Sequence, residues 1–100
     1  MLPDIPDHLE NKAISLAEIG VNSVAWEAKD ALAYIDHIEH LGKFVLGGDV
    51  LVSIKGSYEH NYDNWCFEFK DGNAAASAQR ARDYVSSYPK GNYVFKVVIA

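Results

Sequence analysis

Residues 44–54 read FVLGGDVLVSI, an apolar and largely β-branched stretch that two glycines and an aspartate interrupt. From Val50 onwards, branched residues alternate with their neighbours, the period-two pattern of a strand with one buried face. Glycine alone accepts a positive φ without steric cost, so Gly47 and Gly48 indicate a bulge, a bend or a close approach of another segment. We expect the carboxylate of Asp49 to cap backbone N–H groups freed at this kink. The stretch therefore predicts an interrupted strand.

Helical patterns lie on both sides of this strand. Residues 27–41 carry apolar side chains at steps of three and four and end before Gly42, which is typical of a helix with a C-terminal glycine. Residues 74–88 repeat small and apolar side chains at the same steps. Residues 4–20 also favour helix, either as one segment or as two short helices broken near Ala13.

The other strands follow the first one along the chain. Residues 64–70 alternate aromatic and polar side chains, which predicts a second strand. Residues 93–99 are apolar on both faces except for Lys96 and predict a strand inside the sheet, not at its edge. Residues 56–64, GSYEHNYDN, are interpreted as a nine-residue loop between the first two strands. The fold class predicted for residues 1–100 is one small α+β domain, with helices packed on a small, mainly antiparallel sheet in the order helices, strand, strand, helix, strand.

The composition of the chain disfavours some kinds of binding partner and favours others. The 100 residues are 49% hydrophobic and 23% charged, which indicates one folded domain. A net charge of −5 disfavours nucleic acid and anionic lipid and favours a cationic partner. The single cysteine, Cys66, forms no internal disulfide and suits a reducing compartment. The start of the chain has no export-signal pattern and no segment is long and apolar enough to span a membrane, so we expect a cytoplasmic protein.

Histidines and carboxylates offer weak chemical signals. His37 and His40 are three residues apart on a helix and, with His60, have the residue types of a metal site. We favour a solvated helix face for the first two, because no third ligand lies in sequence register and the only cysteine belongs to a strand, and we predict neither metal nor cofactor. Asp49 and Asp63 form a candidate acid–base pair of a small hydrolase, although carboxylates near strand ends are mostly turn formers. No phosphate loop, dinucleotide fingerprint, CxxC, HExxH or nucleophile elbow occurs, and we predict that the protein is not an enzyme.

An aromatic cluster lies in the predicted loop and the strand after it. Tyr58, Tyr62 and Trp65 have the side chains on which single-stranded bases stack, but acidic residues surround them and no arginine is near. Glu59 and Asp63 among tyrosines fit a basic protein partner better, because tyrosine provides contact area at low entropic cost. For Trp65 a role in the core remains an equal alternative.

Several motifs together resemble the immunity protein 40 family of bacterial polymorphic-toxin and contact-dependent growth inhibition systems, over roughly residues 15–99. They are SLAEIGV (15–21), ALAYIDHIEHLG (31–42), FVLGGDVL (44–51), YDNWCFE (62–68), ARDYVSSYP (81–89) and YVFKVVI (93–99). The resemblance implies a small cytoplasmic antidote that binds the C-terminal domain of a toxin and blocks it without catalysis. It also implies that the family motif holds the fold through Gly47, Gly48, Asp49, Asn64 and Trp65.

We therefore expect an immunity protein that occludes the active site of a basic toxin domain, which we expect to be a nuclease, most of all a ribonuclease, as a monomer in a 1:1 complex. A binding or regulatory subunit unrelated to toxins is the alternative, and a small hydrolase is the third. Acidic, aromatic and histidine side chains are the toxin-binding candidates: Asp36, His37, Glu39, His40, Tyr58, Glu59, Tyr62 and Asp63.

Overall fold

The computed structural model describes residues 5–100. Two α-helices, five strands and three short 3₁₀-helices follow one another along this part of the chain. In order they are a 3₁₀-helix (Asp7–Lys12), β1 (Ile14–Ser15), a 3₁₀-helix (Ala17–Ile19), β2 (Val24–Ala25), α1 (Ala28–His40), β3 (Val45–Ile54), β4 (Ser57–Cys66), a 3₁₀-helix (Phe69–Asp71), α2 (Ala74–Ser87) and β5 (Tyr93–Ile99). Neither α1 nor α2, the two α-helices of the described range, has the length and hydrophobicity needed to cross a bilayer.

The main sheet has three strands in the order β4-β3-β5, and both pairs are antiparallel. The strand predicted from residues 44–54 is β3, at the centre of this sheet. A second, two-stranded sheet pairs β1 with β2. Helices packed on a small antiparallel sheet confirm the predicted α+β class.

Two hydrophobic clusters cover the two faces of the main sheet. The helix-side cluster lies between the sheet and both α-helices, and it includes Trp26, Ile35, Val50, Trp65 and Phe95. The β1–β2 cluster covers part of the opposite face and contains Leu16, Ala25, Leu51 and Val94, with Tyr58 packed against it. Neither cluster covers the rest of that opposite face, where His60 and Asn64 of β4 are exposed.

The two glycines of β3 confirm the prediction of a bulge or a close approach at this point. The register with β5 shifts between Val45 and Gly47, which is a β-bulge, and Gly47 has a φ of 146°. Gly48 pairs with Trp65, whose ring occupies the place that a side chain at residue 48 would need. A bulge and a close approach therefore both occur, at adjacent residues.

The helix predicted for residues 4–20 is wrong in detail. Asp4 lies outside the described residues, and the rest forms two 3₁₀-helices around the two-residue strand β1. The alternative of two short segments broken near Ala13 is closer, because Ala13 is extended, with φ −68° and ψ 131°. Leu9 and Leu16 contribute to different clusters, which requires the chain to turn between them.

The nine-residue loop predicted for residues 56–64 is also wrong, because residues 57–64 belong to β4. The connection is the two-residue turn of Lys55 and Gly56, with φ values of 51° and 81°, which is the conformation of a tight hairpin turn. The strand predicted from Asn64 to Lys70 contributes only its first residues, since β4 ends at Cys66.

The prediction that residues 93–99 lie inside the sheet is wrong as well, because β5 is an edge strand. Its apolar character has another cause. The helix-side cluster takes Phe95 on one face and the β1–β2 cluster takes Val94 on the other. Trp26 also covers its outer edge with two backbone hydrogen bonds to Phe95, of 2.9 and 2.8 Å. Within the main sheet, β4 leaves its outer edge unpaired along its length.

Candidate functional site

The side chains of β4 alternate between the two faces of the sheet. Trp65 belongs to the helix-side cluster, whereas Tyr58 packs on the β1–β2 cluster. Steps of two from these residues place Glu59 and Asp63 towards the helices, and Asp63 accepts a hydrogen bond from Tyr88 on that side. The candidates of residues 58–63 therefore divide between the two sides of one exposed edge strand, which brings them together along its rim.

A bulge interrupts β4 in the middle of these candidates. Asp49 pairs with Asn64 and Leu51 pairs with His60, so Val50 alone faces the three residues 61–63. Within the bulge Tyr62 has a φ of 61°, in the left-handed region, and its side chain is 89% exposed. This conformation costs a residue other than glycine about 1–2 kcal/mol.

The hydroxyl of Tyr88, the residue that follows α2, holds the bulge from the helix side. The Nδ2 of Asn61 donates a hydrogen bond to the Tyr88 hydroxyl over 2.6 Å, and that hydroxyl donates to Oδ2 of Asp63 over 2.6 Å. Burial and, second, the hydrogen bond to Asp63 raise the pKa of Tyr88 to about 12. One phenol therefore fixes the residues on both sides of Tyr62.

A hollow of about 330 Å³ lies beside the bulge and is lined by Asp49, Val50, His60, Tyr62, Asp63 and Asn64. Asp49 reaches it from the middle of β3, where its cross-strand neighbours are Asn64 and Lys96. Within residues 5–100 its carboxylate accepts no hydrogen bond from the backbone, so the expected cap is not formed. The hollow combines hydrogen-bond acceptors with two aromatic rings, His60 and Tyr62, whose centroids are 6.3 Å apart.

The charges around the hollow are mostly negative. Residues 56–69 contain three acids and neither lysine nor arginine. Of those acids, Glu68 is paired with Lys70 at 3.1 Å, while Glu59 and Asp63 stay exposed. We define the hairpin surface as the toxin-binding candidates of β4 together with two residues that line the hollow, Asp49 and His60. Its members are Asp49, Tyr58, Glu59, His60, Tyr62 and Asp63.

The candidates on α1 form a separate group. Arg82 of α2 contacts Asp36 at 2.9 Å and Glu39 at 2.7 Å, so both acids already have a cationic partner within the protein. Helix α2 lies between α1 and β4, because its Arg82 side reaches α1 while its tyrosine side reaches β4. His37 is half-buried and His40 exposed on the same helix. The structure therefore does not join the α1 candidates to the hairpin surface.

The alternatives based on metal or catalytic chemistry gain no support from the geometry. No three side chains of histidine, cysteine, aspartate or glutamate meet as a metal-binding group anywhere in residues 5–100. Asp63, the proposed acid or base, already accepts a hydrogen bond from Tyr88. Cys66 is exposed at the end of β4.

The family-motif residues fall into two groups. Gly47, Gly48 and Trp65 form one packing unit, in which the other side of the indole stacks on Tyr84 with centroids 4.8 Å apart. Asp49 and Asn64 face each other beside the hollow. The alternative of a core role for Trp65 is thus the correct one, since it is 7% exposed.

Three residues important to the site were not identified from the sequence. Asn61 and Tyr88 support the bulge, and Arg82 neutralises the acids of α1. Their partners are 25 to 46 residues away along the chain. Such distant pairings leave no periodic signal in the sequence.

Comparison with known proteins agrees with this arrangement of motifs. The model of a family described as immunity protein 40 matches residues 15–99. No curated protein and no solved structure matches the chain. The family model covers every described strand and both α-helices except the first residue of β1. The chain therefore belongs to the immunity protein 40 family.

Proposed function

We propose that this protein is the cytoplasmic antidote to a cognate toxin of a bacterial contact-dependent or polymorphic-toxin system, and that it binds the C-terminal toxin domain through the hairpin surface. The observation that supports this most is the combination of an immunity-family match over residues 15–99 with exposed aromatic and acidic side chains that the core does not use. Tyr62 is the clearest example, because it is 89% exposed.

The toxin partner is proposed to be basic. The protein carries a net charge of −5, and Glu59 and Asp63 face solvent without a lysine or arginine between residues 56 and 69. Nucleases bind phosphates with lysine and arginine side chains, and carboxylates form strong hydrogen bonds with the same groups. We therefore propose a nuclease toxin, with a ribonuclease favoured, whose active site the hairpin surface covers. Neither nucleic acid nor membrane is a proposed partner.

Inhibition requires no chemistry by the antidote. A surface that blocks the substrate cleft inactivates a toxin by exclusion, and tyrosines with carboxylates give such a surface both contact area and hydrogen-bond acceptors. We propose one antidote bound to one toxin domain. The α1 group of Asp36, His37, Glu39 and His40 is proposed as a secondary contact, since Arg82 already pairs with both of its acids.

We expect the cognate toxin domain to be encoded beside this protein's gene, and the test is a titration of that domain. Cleavage of RNA and of DNA by the purified domain is measured while the protein is added. We expect activity to disappear at one equivalent and the protein alone to cleave neither substrate. Full toxin activity in excess protein would contradict the proposal, and the Glu59→Lys variant serves as a folded control that should need a higher concentration.

A further inference from the structure

The tyrosine at the tip of the β4 bulge has no evident role in stability. Tyr62 is 89% exposed, and its ring has one aromatic neighbour, His60, at 6.3 Å. Its φ of 61° is a conformation that glycine or asparagine adopts more readily than an aromatic residue. A backbone outlier that persists without a packing reason is a reason to look for function.

The surrounding structure holds the bulge in place. Asn61 and Asp63, the residues on either side of Tyr62, both bond the hydroxyl of Tyr88 at 2.6 Å. Tyr88 is itself fixed, because its ring packs edge-on against Phe95 with centroids 5.6 Å apart. An aromatic side chain on a backbone that is already fixed loses little further freedom on binding, which favours affinity.

We propose that Tyr62 is the anchor of the toxin interface, a ring that enters a pocket on the toxin whose rim carries lysine or arginine. This inference rests on the proposed function and names the residue that carries most of the binding free energy. We infer a positive charge on the rim of the toxin pocket from the hollow beside Tyr62. In that hollow Asp49 and Asp63 provide carboxylate oxygens and Asn64 provides an amide. Buried aromatic anchors surrounded by polar contacts are the usual energetic centre of an interface.

Two asparagine substitutions distinguish the loss of the Tyr62 ring from the relief of backbone strain at residue 62. Besides Tyr62, the only described residue other than glycine with a positive φ is Lys55, in the hairpin turn, at 51°. Asparagine tolerates this conformation, so Tyr62→Asn and Lys55→Asn should both keep or raise the Tm, by about 4 °C at most. Only Tyr62→Asn should weaken binding of the toxin domain encoded beside the gene, by at least about thirtyfold in Kd.

Calorimetric titration of the inactivated toxin domain with the parent and with each variant measures the Kd values. We expect Lys55→Asn to bind within about twofold of the parent, because it relieves the same kind of strain in the hairpin turn, outside the bulge that carries Tyr62. Equal affinity of Tyr62→Asn and parent would overturn the anchor while leaving the proposed function in place. A clear fall in the Tm of Tyr62→Asn would also overturn it, since the ring would then support the fold. No binding by the parent would overturn the proposed function and the anchor together.

Discussion

The indole of Trp65 lies against the α-carbon of Gly48, so close that a Cβ at residue 48 would be 2.6 Å from its Cζ3 atom and would also meet the carbonyl oxygen of Lys96. On its other side the same indole stacks on Tyr84 of α2, with centroids 4.8 Å apart and planes at 28°. One side chain thus joins β4, β3 and α2. The glycine is necessary because any side chain there would displace this ring.

The first prediction concerns this contact. Gly48→Ala should lower the free energy of unfolding by about 2–3 kcal/mol, because the added methyl group overpacks the site between the indole and the backbone of β5. Gly20→Ala is the matched control: no described atom lies within 4 Å of its Cβ position, and its φ of 78° adds only about 1 kcal/mol of strain. Urea denaturation measures both, and equal losses would contradict the packing role.

The second prediction concerns the hydroxyl of Tyr88. Tyr88→Phe removes the hydrogen bonds to Asn61 and Asp63 while it keeps the ring, and should cost about 1 kcal/mol at neutral pH. The folded pKa of Tyr88 is about 12, above the value near 10 of an unfolded tyrosine. Its contribution is therefore fully present below about pH 10 and is lost as the pH rises towards 12.

Unfolding of Tyr88→Phe and of the parent should accordingly be compared by denaturant titration at pH 8 and pH 11. The difference between the two proteins should shrink at the higher pH. If the difference in unfolding free energy stays constant or grows, the hydroxyl proton of Tyr88 is not held by Asp63. The Tyr88 hydroxyl would then not stabilise the bulge.

The sequence predicted the fold well wherever one face of an element is buried. Both α-helices carry a continuous apolar stripe, so α1 and α2 begin and end within about a residue of their predicted bounds. Strand β4 was missed because its residues 57–64 are polar on both faces, as an open edge strand with a bulge permits. Strand β5 was misplaced because two clusters cover it, and an apolar pattern reports burial, not position in a sheet.

The candidate site could be predicted only in part for a similar reason. Tyrosines and acids between residues 58 and 63 are visible in the sequence, and the division of these side chains between the two faces follows once β4 is known. The contacts of Arg82 with Asp36 and Glu39 depend on how α1 and α2 pack. Tertiary packing therefore decides which acids remain available to a partner, and no local pattern records it.

The third prediction follows from the pairing of Arg82. Asp36→Asn should change stability by no more than about 1 kcal/mol, since such pairs at the surface are weak and are screened by salt. It should leave toxin affinity within about threefold, because that carboxylate already has a cation beside it. Glu59→Gln on the hairpin surface is the comparison and should weaken binding more. The reverse order would assign the interface to α1.

The fourth prediction is that charge steers association with the toxin. With a net charge of −5 and the basic partner that we propose, the association rate should fall severalfold between low and physiological ionic strength. Glu59→Gln should flatten this dependence more than Glu10→Gln, an exposed acid on the first 3₁₀-helix. Stopped-flow mixing measures the rates, and a rate that ignores salt would refute electrostatic steering.

We propose that the toxin binds at the hairpin surface, and backbone amide chemical shifts of the labelled protein locate the contact residue by residue. On addition of one equivalent of inactivated toxin domain, we expect the largest shift changes on residues 57–64 and on Asp49, with residues 36–40 of α1 little affected. Changes concentrated on α1 with β4 unaltered would contradict it.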